Sequence, residues 1–135
     1  MRIKGLSAMN GTNIVFDTCA VIKLLDQQYD LPSLDINLEQ ARFFTSVIVR
    51  MELLSKKQMT SNEEHGILDF LNDLAVIPLS ENIEQKAIEL CRSTKLKLPD
   101  SIVAATSIVL DAVLLTDDEH LLSLSLPGLK TQHIF

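Results

Sequence analysis

Apolar residues in this chain fall into two kinds of run, short unbroken ones and longer periodic ones, and the two kinds alternate. Ile14-Val15-Phe16, Phe43-Phe44-Thr45, Leu74 to Leu79 (closed by Pro78) and Val113 to Thr116 are short and bounded by polar or turn residues, the pattern of buried strands. Lys130 to Phe135, after the turn Leu126-Pro127-Gly128, reads as a final edge strand. Helices are expected between them. Ala20 to Leu25 is a short one. Thr45-Ser46 opens a capped helix that runs past Leu54 and ends near Lys56-Lys57, whose charges suit a helix C-terminus. Ser61 to Glu64 has capping-box spacing ahead of Ile67, Leu68, Leu71 and Leu74. Ser80 opens a helix with Ile83, Ala87, Leu90 and Cys91 on one stripe, which places Cys91 in the core. Ser101 to Leu110 is apolar on most faces, as a helix buried between layers is, and Ala104 and Ala105 would admit a close neighbour. This alternation predicts an α/β fold with a mainly parallel sheet. Residues 1–13, with Gly5, Asn10, Gly11 and Asn13, read as an N-terminal extension, and 14–135 as one domain. Tyr29 to Asn37, carrying Asp30, Pro32 and Asp35, reads as a loop or broken helix.

Acids punctuate this pattern where strands end and helices begin. Asp17 follows the first strand, and Asp117 and Asp118 follow Val113 to Thr116. Pro99 gives up its amide, which suits a first helical turn, so Asp100 would lie among outward-pointing amides. Glu52 sits among Val47, Ile48, Val49, Met51, Leu53 and Leu54, which leaves its helix only a narrow polar face. In open parallel sheets functional groups gather at the carboxyl ends of strands. Asp17, Glu52, Asp100 and one of Asp117 and Asp118 are therefore expected on one rim. Carboxylates brought together repel, so some must hold their protons or a divalent cation must hold them. Oxygen-only ligation, with no matching His or Cys cluster, selects Mg²⁺ or Mn²⁺ over zinc. Each acid also has an ordinary reading: Asp17 and Asp118 as helix caps, Glu52 as an exposed helical position, Asp100 as a partner of the helix dipole.

The joint order is more specific than any one acid. Asp17-Thr18, then Ser46 with Glu52-Leu53-Leu54, then Leu98-Pro99-Asp100-Ser101-Ile102-Val103-Ala104-Ala105-Thr106, then Leu115-Thr116-Asp117-Asp118 resembles the PIN-domain ribonucleases, VapC-type toxins above all. The resemblance runs from about Asn13 to the C-terminus, and its most specific pieces are the run beginning Leu98-Pro99-Asp100 and the Leu115-Thr116-Asp117-Asp118 turn. It implies a three-layer α/β/α domain with a central parallel sheet, and an acid quartet binding one or two Mg²⁺ or Mn²⁺ ions for RNA hydrolysis. It also implies an antitoxin partner and a homodimer. By resemblance the fourth acid is Asp118, with Asp117 turned to solvent or a helix cap. Asp117 stands where relatives often carry a basic or amide residue, and His120 where many carry another acid. Thr18, Ser46 and Thr116 would orient the carboxylates, or simply cap helices.

Composition narrows the alternatives. The chain of 135 residues has a net charge of −6, no Trp, one Tyr and five Phe. A general basic nucleic-acid binder and a set of exposed stacking aromatics are both unexpected. A nuclease whose bound cations supply positive charge locally stays open, with Lys95 and Lys97 beside Asp100 as phosphate contacts. Lys23, Arg50, Lys56, Lys57 and Arg92 are further candidates for phosphate contacts, each with an ordinary reading as a solvated charge. Cys19 and Cys91 form no CxxC pair, which fits a reducing cytoplasm, and no apolar run approaches the ~20 residues of a membrane span. Cys19 at a helix start raises a thiol-phosphatase reading through a lowered pKa, but no Arg follows at the spacing of a phosphate cradle. A haloacid-type phosphatase needs a second Asp two residues after Asp17, and Cys19 stands there. A PIN-fold interaction module with a degraded metal site rests on the departures at Asp117 to His120 alone.

Overall fold

The computed structural model describes residues 12–26 and 38–134. Residues 1–11, the Tyr29 to Asn37 segment and Phe135 lie outside that description. Five strands form one sheet: β1 (Thr12–Phe16), β2 (Ala41–Ser46), β3 (Ala75–Ile77), β4 (Ala112–Thr116) and β5 (Lys130–His133). Its order is β3-β2-β1-β4-β5, and every pairing is parallel. From β1 the chain steps outward through β2 to β3, then crosses to the other side of β1 for β4 and β5. The strand order therefore reverses between β1 and β4, where parallel α/β sheets open a crevice.

Among the described residues six α-helices connect the strands: α1 (Thr18–Leu25), α2 (Val47–Leu54), α3 (Ser61–Asn72), α4 (Glu81–Ser93), α5 (Leu98–Val109) and α6 (Glu119–Leu122). A 3-10 turn, Leu38–Gln40, leads into β2. Consecutive residues Ile14, Val15 and Phe16 are all fully buried. Neighbouring side chains of a strand point to opposite faces, so both faces of the sheet are covered. On one face Phe16 stacks on Phe43 (centroids 5.8 Å apart) and meets the edge of Phe70 from α3 at 5.9 Å. Helix α5 packs against α4 and three strands, with Ser101 to Ser107 buried without a break.

Local chemistry moved several element ends. Thr60, not Ser61, caps α3: its hydroxyl accepts from the Glu63 amide, and the Glu63 side chain accepts from the Thr60 amide, a complete capping box. Helix α2 stops at Leu54, because Ser46 caps it and Ser55 closes it, so Lys56 and Lys57 follow the helix. Lys56 instead pairs with Glu63 at 2.8 Å. Helix α5 begins at Leu98, with Pro99 in a first turn whose amides have no intrahelical acceptor. Cys91 is only partly buried, its thiol donating to the Ser101 hydroxyl across the α4–α5 seam at 3.2 Å. Strand β1 starts at Thr12, and Asn13 anchors it by donating to the Leu110 carbonyl at 2.8 Å. Among the described residues no helix is long and apolar enough to cross a membrane.

Ala104 and Ala105 are fully buried in α5, as a helix pressed against a sheet requires. Ala105→Leu should destabilise the fold by ~1–3 kcal/mol through overpacking. Urea unfolding checks this, and an unchanged midpoint would mean that α5 has room to spare.

Candidate active site

The crevice between β1 and β4 holds a cleft of about 240 Å³ lined by Asp17, Glu52, Asp100, Asp117 and Asp118 together with Thr18, Cys19 and Val103. Each acid arrives by a different route. Asp17 ends β1 and caps α1, and its Oδ1 accepts the Ala20 amide at 2.9 Å. The β1–β4 pairing sets it beside the end of β4, and its own amide donates to the Leu115 carbonyl at 3.3 Å. Asp100 stands in the first turn of α5. Glu52 projects from the last turn of α2, exposed rather than buried, and Thr18 Oγ1 donates to its Oε1 at 2.8 Å. Asp118 caps α6 through the His120 amide, at 2.8 Å from Oδ1.

The hydroxyls divide between two roles. Thr18 aims Glu52. Thr116, fully buried at the end of β4, hydrogen-bonds Asp17 and accepts the Asp118 amide at 3.0 Å. Ser46 instead caps α2, accepting the Ile48 amide at 3.2 Å, so its observed role is the ordinary one.

Cys19 is where the chain's wiring departs furthest from expectation. Its Sγ donates to Asp17 Oδ1 at 2.8 Å, accepts the Asp117 amide at 3.3 Å, and lies 3.8 Å from Thr116 Oγ1. Burial pushes the thiol well above its ordinary pKa, and the Asp17 charge and the hydrogen bonds to the Asp117 and Asp17 side chains push the same way. The thiol is therefore a neutral donor, and the lowered pKa that helix-start position suggested does not arise. Asp117 caps no helix: its partly exposed side chain places Oδ2 3.0 Å from Lys23 Nζ, and Lys23 also donates to the Ile134 carbonyl at 3.2 Å. The Cys19 thiol and then Lys23 hold Asp117 below the usual carboxyl range. Sequence reading weighed Lys23 as a phosphate contact and Cys19 as a reactive thiol, and missed that both hold Asp117. The helical spacing of positions 19 and 23 on α1 was the available signal, but it names no partner.

At Asp17 and Asp100 burial dominates the electrostatics. Burial raises Asp17 above its ordinary value, against the Cys19, Thr116 and Ala20 hydrogen bonds that lower it, and the Asp117 charge adds to the rise. Burial also raises Asp100, reinforced by the charges of Asp118 and Glu52 and opposed by His120 and Lys97. Among the described residues no three His, Cys, Asp or Glu side chains stand ready to close around one ion. An all-oxygen, like-charged donor set still suits a hard cation. Mg²⁺ keeps several waters and takes only one or two carboxylates directly, so this open cleft fits it chemically.

Beside the cleft lies a wider groove of about 510 Å³, lined by Ile22, Leu25, Leu53 and Ile67, which shares Thr18 and Glu52 with it.

A sequence model of the PIN domain family matches residues 14–125. No curated protein sequence matches the chain significantly. Among solved structures, the VapBC2 complex of Rickettsia felis bound to a promoter DNA fragment matches with a TM-score of 0.78 and 19% identity, covering 92% of this chain and 100% of that one. A toxin–antitoxin complex from Klebsiella pneumoniae matches with a TM-score of 0.66 and 25% identity over 86% of this chain and 94% of that one. DNA-bound VapBC from Salmonella typhimurium gives 0.71 and 19%, over 90% and 98%.

The raised carboxyls make the metal-free cleft pH-sensitive. Between the ordinary value of 3.8 and their higher native values, Asp17 and Asp100 bind more protons folded than unfolded, so stability falls as pH rises through that window. Asp17→Asn and Asp100→Asn should therefore each raise the thermal midpoint of metal-free protein at neutral pH, Asn serving equally well as the α1 cap. The gain should shrink as pH falls toward the ordinary carboxyl value of 3.8. Melting curves across pH test this, and midpoints lowered at neutral pH in both variants would reverse the electrostatic account.

Proposed function

This chain belongs to the PIN-domain family, and from that premise we propose that it is a Mg²⁺- or Mn²⁺-dependent endoribonuclease, a VapC-like toxin of the cytoplasm held in check by an antitoxin. The observation that carries this reading is the convergence of Asp17, Glu52, Asp100 and Asp118 from four separate elements on one cleft at the β1–β4 switch point.

Those four acids would hold the ion, with Asp118 rather than Asp117 as the fourth because Asp117 is already paired with Lys23. A bound divalent ion lowers the pKa of water and stabilises charge on a phosphate under in-line attack. The chain supplies the positioning. Asp17 is fixed by an amide, a thiol and a hydroxyl, and Glu52 by Thr18. Exposed Lys97, just before α5 and close enough for its charge to act on Asp100, and exposed Lys95 would meet RNA phosphates, which the net charge of −6 otherwise repels.

Two of the matched structures are named VapBC complexes and a third is a toxin–antitoxin complex. On that likeness, the groove beside the cleft would receive an apolar antitoxin segment that sends an Arg or Lys onto the acids through the shared wall of Thr18 and Glu52. The homodimer is carried over from the family on the same basis.

Cleavage of total cellular RNA with Mg²⁺, with Mn²⁺ and with EDTA is the direct test. Activity should appear with either ion and vanish with chelator, Asp17→Asn and Asp100→Asn should each abolish it, and Asp118→Asn should cost ~10–100-fold if that acid acts through an outer shell. Wild-type cleavage by Asp17→Asn or Asp100→Asn would remove that acid from the quartet. Co-expression with the product of the neighbouring gene should give a stable complex in which cleavage is suppressed. Free, active protein in that experiment would count against the toxin reading.

A further inference from the structure

Asp117 is a fifth carboxylate on the wall of the acid cleft, close enough for its charge to act on Asp17. Left alone, it would do two things there. It would add to the mutual repulsion of the other acids, and it would offer a divalent cation one more hard oxygen ligand.

Its charge still reaches Asp17, but several contacts hold the side chain itself. Its Oδ2 lies 3.0 Å from Lys23 Nζ, and the two side chains are only 33% and 22% exposed. Partial burial of this kind screens the pair less than open surface would. Lys23 is itself tethered, donating to the Ile134 carbonyl at 3.2 Å, so its ammonium joins α1 to the ends of β4 and β5. The backbone is held too, because the Asp117 amide donates to Cys19 Sγ at 3.3 Å. Burial raises Asp100, and the charges that add to the rise are those of Asp118 and Glu52. The cleft thus contains four acids and a fifth that is paired with a lysine.

Resting on the metal-dependent reading above, we propose that Lys23 is a positioning residue: its ammonium holds Asp117 out of the ligand set, so that a bound divalent ion draws on Asp17, Glu52, Asp100 and Asp118 alone. The chain can therefore carry an acid beside Asp118 without changing the coordination of the site.

Calorimetric titration of Mn²⁺ into EDTA-stripped full-length protein tests this without relying on cleavage. Lys23→Gln keeps a donor for the Ile134 carbonyl but removes the charge. It should free Asp117 and tighten Mn²⁺ binding roughly tenfold, the scale on which ligand charge count and outer-shell partners act. The double variant Lys23→Gln/Asp117→Asn should return to within about twofold of wild type, as should Lys23→Arg, and Asp117→Asn alone should change affinity by less than about threefold. Unchanged affinity in Lys23→Gln, or tightening that persists in the double variant, would overturn the proposal. So would an Asp117→Asn variant that weakens binding about tenfold, since Asp117 would then already be a ligand, and this arm decides the matter even if Lys23→Gln does not fold. A wild-type chain that takes up no Mn²⁺ at all would instead sink the metal reading itself.

Discussion

Asp17 carries the heaviest constraint in this fold, because its carboxylate is only 7% exposed and faces other acids across a small cleft. A buried charge of this kind destabilises the native state unless donors surround it. Three do: the Ala20 amide, the Cys19 thiol and the Thr116 hydroxyl. The first comes free with helix geometry, since the residue that ends β1 is also the N-cap of α1. The other two need side chains at set places, one in the first turn of that helix and one at the end of the neighbouring strand. Even so, burial wins and the carboxyl is pushed upward.

That surplus of unrelieved charge is tolerable because of what lies beneath it. Ile14, Val15, Phe16, Leu114 and Leu115 are fully buried in the two strands that present the acids, and the Phe16–Phe43–Phe70 cluster packs beneath the same rim. Close packing keeps strand ends from drifting apart to relax repulsion. The acids are thus held in a costly arrangement by apolar contacts that have no part in the chemistry, which is how a rigid scaffold preorganises a site. A cation entering the cleft would meet donors already in place.

Thr18 links this site to its surroundings. Its hydroxyl orients Glu52, and both residues form the wall common to the acid cleft and the neighbouring apolar groove. Under the proposed ribonuclease reading, anything seated in that groove touches the residue that aims one of the acids. Occupancy of the groove and the geometry of the cleft are then one problem, settled by a single hydrogen bond of 2.8 Å.

Much of this was legible in the chain itself, for local reasons. Apolar runs ending in acids located the strands of the rim, Pro99 marked the start of α5, and the order of Asp17, Glu52, Asp100 and the Asp117-Asp118 pair pointed to the PIN domain. Such signals are short-range: a period, a cap, a spacing along one element. Ends of elements were less legible, as the shift of the α3 cap from Ser61 to Thr60 illustrates, because neighbouring hydroxyls compete for the same amides. What adjacency in sequence could not decide was adjacency in space. Cys19 meets Asp117, and Lys23 meets both Asp117 and Ile134, only because β4 returns to pair with β1 and β5 with β4. The two adjacent acids Asp117 and Asp118 are alike as a sequence. The fold separates them, by giving one a lysine and the other a helix to cap.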